Sequence, residues 1–168
     1  MKEVTNLSPN GPNIDGRLYH LGVVVKDIDD GMDLYRRLLG VPSFHRLDTN
    51  YQARHRDWEG TIANRNAFGR WGDLVVELVE PGLGHGPAGE YLSRFGPGVF
   101  HVGYATDDPT QTPGGFRPCF EVHPTRRPDG SFGIVYLDTL DSLGFFVELV
   151  ERASAERVIA TVEAFESA

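Results

Sequence analysis

Four residues in this chain have the types and the placement to hold a divalent metal ion: His20, Glu77, His101 and Glu148. They come in two matched pairs. The segment "YHLGVVVKDID" carries His20 and is echoed by "FHVGYATDDPT", which carries His101. Both read as an aromatic residue, a His, an apolar residue and a Gly, followed by an apolar strand and an Asp-containing turn. The segment "VELVE" occurs at 76–80 and again at 147–151, with Glu77 and Glu148 in its second position. Imidazole nitrogen and carboxylate oxygen together suit Zn, Ni, Co, Mn or Fe. Taken singly, a strand His or Glu is usually a packed or solvated side chain. Its repetition at matching places in both halves favours a shared ligand set of His20, Glu77, His101 and Glu148 around one ion.

The alternation of side chains along a strand says how these residues should point. His20 shares a face with Gly22 and Val24, and His101 with Gly103 and Ala105. Each imidazole is therefore expected beside a glycine, with room above the sheet. Tyr19, Leu21 and Val23, and likewise Phe100, Val102 and Tyr104, fall on the opposite face. Glu77 and Glu148 project from apolar strands, where a carboxylate must be paired, protonated or metal-bound. Glu80 and Glu151 fall on the other face at the strand ends and are expected to be solvated.

The elements that would position these residues follow from the repeat. Two copies make duplicated βαβββ units sharing a sheet, because a solenoid needs more repeats. The expected fold is α+β: two βαβββ modules sharing a mixed sheet, at 17–85 and 86–152. A flexible lead-in precedes them at 1–16. In the first module 18–25 is a valine-rich strand. Ile28, Met32, Tyr35 and Leu39 then form a helical stripe, with Asp27 or Asp29 to cap it, Gly40 to end it and Pro42 to stop it. The segment 43–58 is weakly patterned. A hairpin follows, with strands at 61–68 and 74–80 and a turn through 69–72. A short helix near 89–95 leads onward. In the second module "PTQTPGGFRP" is too rich in Pro and Gly for a matching helix, so the module is shortened. "FRPCFEVHP" and "GSFGIVYLDTL" supply its middle strands. A C-terminal helix at 153–168 carries Val158, Ile159, Val162 and Phe165 on one face, to cover the surface left by the missing helix or to reach a second subunit.

The 168 residues, with a formal net charge of −8, offer no basic stripe for nucleic acid or an anionic membrane. No apolar run approaches the roughly 18 residues of a membrane span. A single cysteine, Cys119, rules out an intrachain disulfide and suits a reducing cytoplasm. The local cluster of Arg54, His55 and Arg56, with Arg65 and Arg70 beyond it, reads either as a site for a small anion or as solvated loop residues.

The motifs "HLGVVVKDIDDGMDLYRRLLG", "VVELVEP", "EYLSRFGPGVFHVGYATDD" and "FFVELVE" resemble those of the vicinal oxygen chelate superfamily, which includes glyoxalase I, methylmalonyl-CoA epimerase, extradiol dioxygenases and antibiotic-resistance proteins. The linker before His101 is most similar to the epimerase-like branch. The resemblance implies two βαβββ modules forming a cupped mixed sheet around one metal site, with one divalent ion held by His20, Glu77, His101 and Glu148. It implies an isomerase or lyase acting on a small oxygenated substrate through an enolate, with Glu148 as base and Glu77 as the symmetric alternative. It also implies a homodimer. Arg54, Arg65, Asn64, Asn66 and Tyr104 are the candidate substrate contacts. Epimerases of the family use a second carboxylate on the strand before the hairpin, where this chain has "ANRNA" and no acid, Glu59 being the nearest before it. Two other readings remain open on the sequence. One is an iron(II) dioxygenase using His20, His101 and Glu148, against which a Glu at position 77 counts. The other is a binding or resistance protein without turnover.

Overall fold

The valine-rich run after Arg17 forms strand β1 (Gly16–Val24) in the computed structural model, which describes residues 13–122 and 133–166. Helix α1 (Ile28–Leu39) follows. Asp27 caps it, its Oδ1 accepting from the backbone N–H groups of Asp29 and Asp30 at 2.9 Å each. Gly40 ends it in the left-handed conformation at φ 71°. Ile28 and Met32 turn inward onto Val23, Val76 and Leu78 of the sheet. Glu80 is not solvated as expected. Its Oε2 accepts the backbone N–H of Ile28 at 2.8 Å and a bond from Arg65 Nη1 at 3.0 Å, so a side chain 52 residues away satisfies one of the helix's orphan donors.

The weakly patterned stretch after α1 folds as β2 (Phe44–Arg46) and β3 (Thr49–His55), both lying along β4 (Trp58–Trp71). Strand β4 then pairs with β5 (Leu74–Leu83). The expected turn at 69–72 narrows to Gly72 and Asp73. Gly69 is a strand residue, needed because a Cβ there would lie 2.7 Å from the Ser43 carbonyl oxygen of the neighbouring chain segment. Helix α2 (Pro87–Phe95) leads to β6 (Gly98–Thr106). The second module continues with β7 (Pro118–Val122), β8 (Ile134–Leu137), the single turn α3 (Leu140–Leu143) and β9 (Phe146–Glu151). Residues 107–117 between β6 and β7 form turns where the first module has α1. The lead-in up to residue 12, and part of the expected middle strands of the second module, lie outside the described residues.

The pairings close on themselves. Each module has one order, β1-β5-β4-β3 and β6-β9-β8-β7, and the two meet twice, through antiparallel β1–β6 and antiparallel β3–β7. The result is a ring of eight strands with β2 added beside β3. One end of the interior is filled by Phe100, Phe120, Ile62 and Phe146, with Ala88 of α2 against them.

Helix α4 (Arg152–Glu166) starts where β9 stops, with no loop between. The strand therefore delivers it across the other mouth of the ring, where Ala155 packs on Tyr19, Ala105 and Val150. It does not cover the outer face where the second module lacks a helix; Ile14 and Phe116 lie there instead. Phe165, expected on the buried stripe, is half exposed and sits against His45 with ring centroids 4.5 Å apart. No helix among the described residues is long and apolar enough to cross a membrane.

The tie between β5 and α1 gives a stability test. Glu80→Ala should cost about 1–3 kcal/mol, because it strands the buried Ile28 N–H and unpairs Arg65. Glu80→Gln keeps an acceptor and should cost less than about half of that. Urea unfolding of the two variants reads the difference; equal losses would contradict the capping role.

Candidate metal and substrate site

The seam between β1 and β6 sets the site. In its register His20 lies opposite Gly103, and Gly22 opposite His101. A Cβ at Gly103 would fall inside the His20 ring, and one at Gly22 inside the His101 ring. Each imidazole thus lies over the other module's glycine, which makes the two glycines a steric requirement of the site. The next strands complete two cross-sheet rows. Glu77 on β5 neighbours Gly22, and Glu148 on β9 neighbours Gly103. In both rows the glycine leaves the gap over which an imidazole from one module and a carboxylate from the other approach each other.

The four side chains meet inside the ring. His20 Nε2 and His101 Nε2 are 2.6 Å apart. Glu148 Oε2 is 2.9 Å from His20 Nε2 and 3.4 Å from His101 Nε2. Glu77 Oε2 is 3.6 Å and 3.4 Å from the same two atoms. All four residues are buried, His101 completely.

Two β-bulges aim the cluster. One extra residue on β1, Tyr19, and one on β6, Phe100, interrupt the seam just before each His. Simple alternation placed both aromatics on the outer face. The bulges bring Tyr19 into the cavity wall beside His20 and Phe100 into the interior beside His101.

The carboxylates are anchored unequally. Glu77 Oε1 accepts a 2.6 Å bond from Asn66 Nδ2. Asn66 is itself fixed, its Oδ1 accepting from Thr49 Oγ1 at 3.3 Å and its backbone N–H donating to Asp48 at 3.1 Å. Glu148 has no such amide clamp: its partners are the His20 imidazole, whose Nε2 lies 2.9 Å from Oε2, and the Tyr136 hydroxyl. The phenol of Tyr136, the cross-strand neighbour of Glu148, lies 3.2 Å from His101 Nδ1. Burial, and then the nearby Glu148 and Glu77, raise the pKa of the Tyr136 and Tyr19 hydroxyls well above the ordinary value, so both stay O–H donors.

Charge in the cluster demands a cation. Burial would lower the His20 pKa, but Glu148 and Glu77 outweigh it and raise it to about 9. Burial and the charge on His20 push His101 well below its ordinary value, so it stays neutral. Burial raises Glu148, opposed in part by His20. A proton on His20 thus sits among two carboxylates and a neutral imidazole. A divalent ion in the same place would take Glu148 Oε2 and both Nε2 lone pairs, and would cancel the two buried carboxylate charges. The donor set fits such an ion, with His20, Glu77 and His101 offering ligand atoms within 4.8 Å of one another.

A cavity of about 190 Å³ opens onto the cluster, walled by Tyr51, Asn66, Phe68 and Phe120 and closed by Ser154 and Val158 of α4. Of the five expected substrate contacts, Asn66 is at the cavity and Asn64 lines a small adjoining pocket. The other three lie elsewhere. Arg54 points outward and pairs with Glu121 across the strand. Arg65, also outward on β4, binds Glu80 and Asp29 at 3.0 Å each. Tyr104 lies on the outer face with Leu137 and Val147. Strand alternation explains all three, since their inward neighbours on the same strands, Tyr51, Asn66 and Gly103, are the ones at the cavity. Arg70 is also committed, to Glu163 of α4 at 3.2 Å. Tyr51 and Tyr136 escaped the sequence reading although "TNYQARH" and "IVYL" alternate. Tyr19 had no signal, because it depends on the bulge.

Residues 19–112 match the family model of the glyoxalase/bleomycin resistance protein/dioxygenase superfamily, more than half of the chain. The chain belongs to this superfamily. The matched stretch includes His20, Glu77 and His101, while Glu148 lies beyond it. A chain of similar sequence is the uncharacterized protein YqjC of Bacillus subtilis, 27% identical over 88 residues; the match spans 52% of this chain and 56% of that protein. Among solved structures, methylmalonyl-CoA epimerase of Mycobacterium tuberculosis is similar with a TM-score of 0.54 and 24% identity, over 83% of this chain and 89% of that one. The Streptomyces coelicolor epimerase, a Gln variant bound to 2-nitronate-propionyl-CoA, gives a TM-score of 0.53 and 25% identity, over 82% and 98%. A 4-hydroxymandelate synthase variant from the same organism gives 0.51 at 12% identity, and the match spans 38% of that longer chain. These structural neighbours are enzymes, and they confirm the fold.

The raised His20 pKa makes a pH prediction. In chelator-treated protein the His20 imidazolium stabilises the fold fully below about pH 6.5, and that contribution is lost as the pH rises through about 9. Glu148, also raised, acts in the same sense above its ordinary 4.5. Imidazole NMR of metal-free protein should show His20 titrating near 9 while His101 stays neutral. A His20 titrating near 6.5 would contradict the arrangement.

Proposed function

We propose that the protein is a divalent-metal-dependent isomerase or lyase of the glyoxalase and epimerase type, acting on a small substrate with adjacent oxygens. His20, Glu77, His101 and Glu148 hold the ion. The observation that carries this reading is the unequal anchoring of the two carboxylates: Glu77 is clamped by the Asn66 amide, whereas Glu148 meets only the His20 imidazole and the Tyr136 hydroxyl, groups of the cluster itself. A carboxylate fixed from behind by an amide network and one held only by groups that bind the ion or the substrate is the arrangement expected of a ligand that stays and a base that moves.

A bound ion would polarise a substrate carbonyl and favour loss of the neighbouring C–H proton as an enolate. Glu148 takes that proton at Oε2. Its burial already raises its affinity for one, which keeps the transferred proton in place until it is returned. Glu77 stays put, because moving it breaks the bond to Asn66 and the contacts behind it. The O–H groups of Tyr19 and Tyr136 border the cluster and can donate to substrate oxygens. Phe120, Ile134 and Val150 exclude water from the reacting carbon.

Strand β4 offers the cavity Asn64 and Asn66 but no carboxylate, and Glu59 pairs across the strand with Arg54 at the outer surface. A single mobile base suits removal and return of one proton on one face, or elimination. This favours a lyase or one-base isomerase over a two-base epimerisation. Glu77 Oε2, within 3.6 Å of both imidazoles, adds a fourth ligand and counts against oxygenase chemistry, which needs more open positions.

Proton abstraction can be read without knowing the product. Metal-loaded protein incubated in D2O with a panel of 2-hydroxy acids, 2-oxo acids, hemithioacetals and acyl-CoA thioesters should wash deuterium into one class, followed by NMR. Glu148→Gln should slow that exchange about 100-fold or more while keeping the ion. Full exchange in Glu148→Gln would remove Glu148 as the base.

A further inference from the structure

The cavity at the cluster does not end at its own wall. Leu47, Phe68, Ser154 and Val158 line it on one side and, on the other, line a second groove of about 370 Å³ under helix α4. The second groove is about twice the volume of the first, and its further walls are His45, Arg157, Thr161 and Val162. Its floor is apolar. Its outer rim carries one permanent cation, Arg157.

Arg157 differs from Arg65, Arg70 and Arg152, which are each held by carboxylates. Arg157 donates from Nη2 to Ser154 Oγ at 2.9 Å, and among the described residues no carboxylate lies within ion-pair distance of it. Ser154 is a wall residue of the inner cavity. The bond therefore tethers the guanidinium to the junction of the two spaces, with most of its five donors unspent. The inner cavity, by contrast, has no arginine or lysine in its walls and two carboxylates, Glu77 and Glu148. In a chain of net charge −8, a cation kept unpaired at the outer end of an apolar passage is suited to recognise a negative charge there.

From this we infer that the groove under α4 is the specificity subsite of the same centre. It accepts the apolar tail of a substrate whose oxygen-bearing head lies at the His and Glu cluster, and Arg157 binds a carboxylate at the end of that tail. The inference rests on the metal-centre reading above. It adds the substrate class: a short ω-carboxylated aliphatic molecule with two adjacent oxygens at its head. Helix α4 is then part of the binding site, as the roof under which the tail lies.

Hydroxamates test this, since their two adjacent oxygens chelate divalent ions. The full chain, loaded with one equivalent of zinc, is titrated calorimetrically with acetohydroxamate. It is then titrated with the monohydroxamates of glutaric, pimelic and suberic acid, and with methyl-ended hydroxamates of matching length. At the best-fitting length the carboxylate should tighten binding roughly fivefold over the methyl end, as expected for a partly exposed charge pair. Arg157→Gln should abolish that gain and leave acetohydroxamate unchanged. Thr161→Trp, which fills only the outer groove, should weaken every tailed probe and spare acetohydroxamate. No carboxylate gain at any length, or a gain that survives Arg157→Gln, overturns the subsite while leaving the metal centre standing. Failure of acetohydroxamate to bind the zinc-treated chain better than the metal-free chain overturns the metal-centre reading, and the subsite with it.

Discussion

Two buried carboxylates facing two buried imidazoles are the constraint on which this molecule depends. Such a cluster is expensive in an apolar interior unless its charges are met. Everything around it serves to meet them. The modules join along β1 and β6 in the one register that puts each imidazole over the other module's glycine. The parallel partners β5 and β9 then bring Glu77 and Glu148 beside the same two glycines. The duplication builds the cluster as well as closing the sheet: each half supplies one imidazole, one carboxylate and the vacancy that the other half's imidazole occupies.

The two halves then diverge, and the divergence makes the chemistry directional. In the first, β4 is long and places Asn66 against Glu77. In the second, the corresponding strand β8 is short and places Tyr136 beside Glu148. An amide donor with its own network behind it holds a carboxylate still. A phenol shared with His101 has no such network behind it, and leaves Glu148 held by the cluster alone. The ends of the ring differ as well. One is packed with aromatic side chains under α2, and the other is roofed by α4, with the cavity and a second groove beside it.

Much of this was legible in the sequence for a physical reason. The ligand residues sit in short repeated strings, and strand alternation fixes the faces of most neighbours. Asp27 and Gly40 mark the ends of α1 by local backbone chemistry alone. What was not legible depends on contacts distant in sequence. Alternation put Tyr19 and Phe100 outside, but a one-residue bulge reversed each, and a bulge is set by how two strands meet. Glu80 looked solvated until the fold brought the start of α1 to it. Arg54 and Arg65 looked available for an anion, yet alternation itself turns them outward, where acidic neighbours take them. The course of α4 follows from the absence of any loop after β9, which its amphipathic pattern does not reveal.

The central claim is that the cluster holds one divalent ion through both modules at once. Its most direct test is the metal content of purified, metal-loaded and dialysed protein, measured by inductively coupled plasma mass spectrometry for the wild type, His20→Ala and His101→Ala, with circular dichroism to confirm that each is folded. The account predicts one ion per wild-type chain and its loss from both folded variants, since a ligand from either half is indispensable. A folded wild-type chain that retains no ion, or a variant from one half that retains it fully, would contradict the shared site.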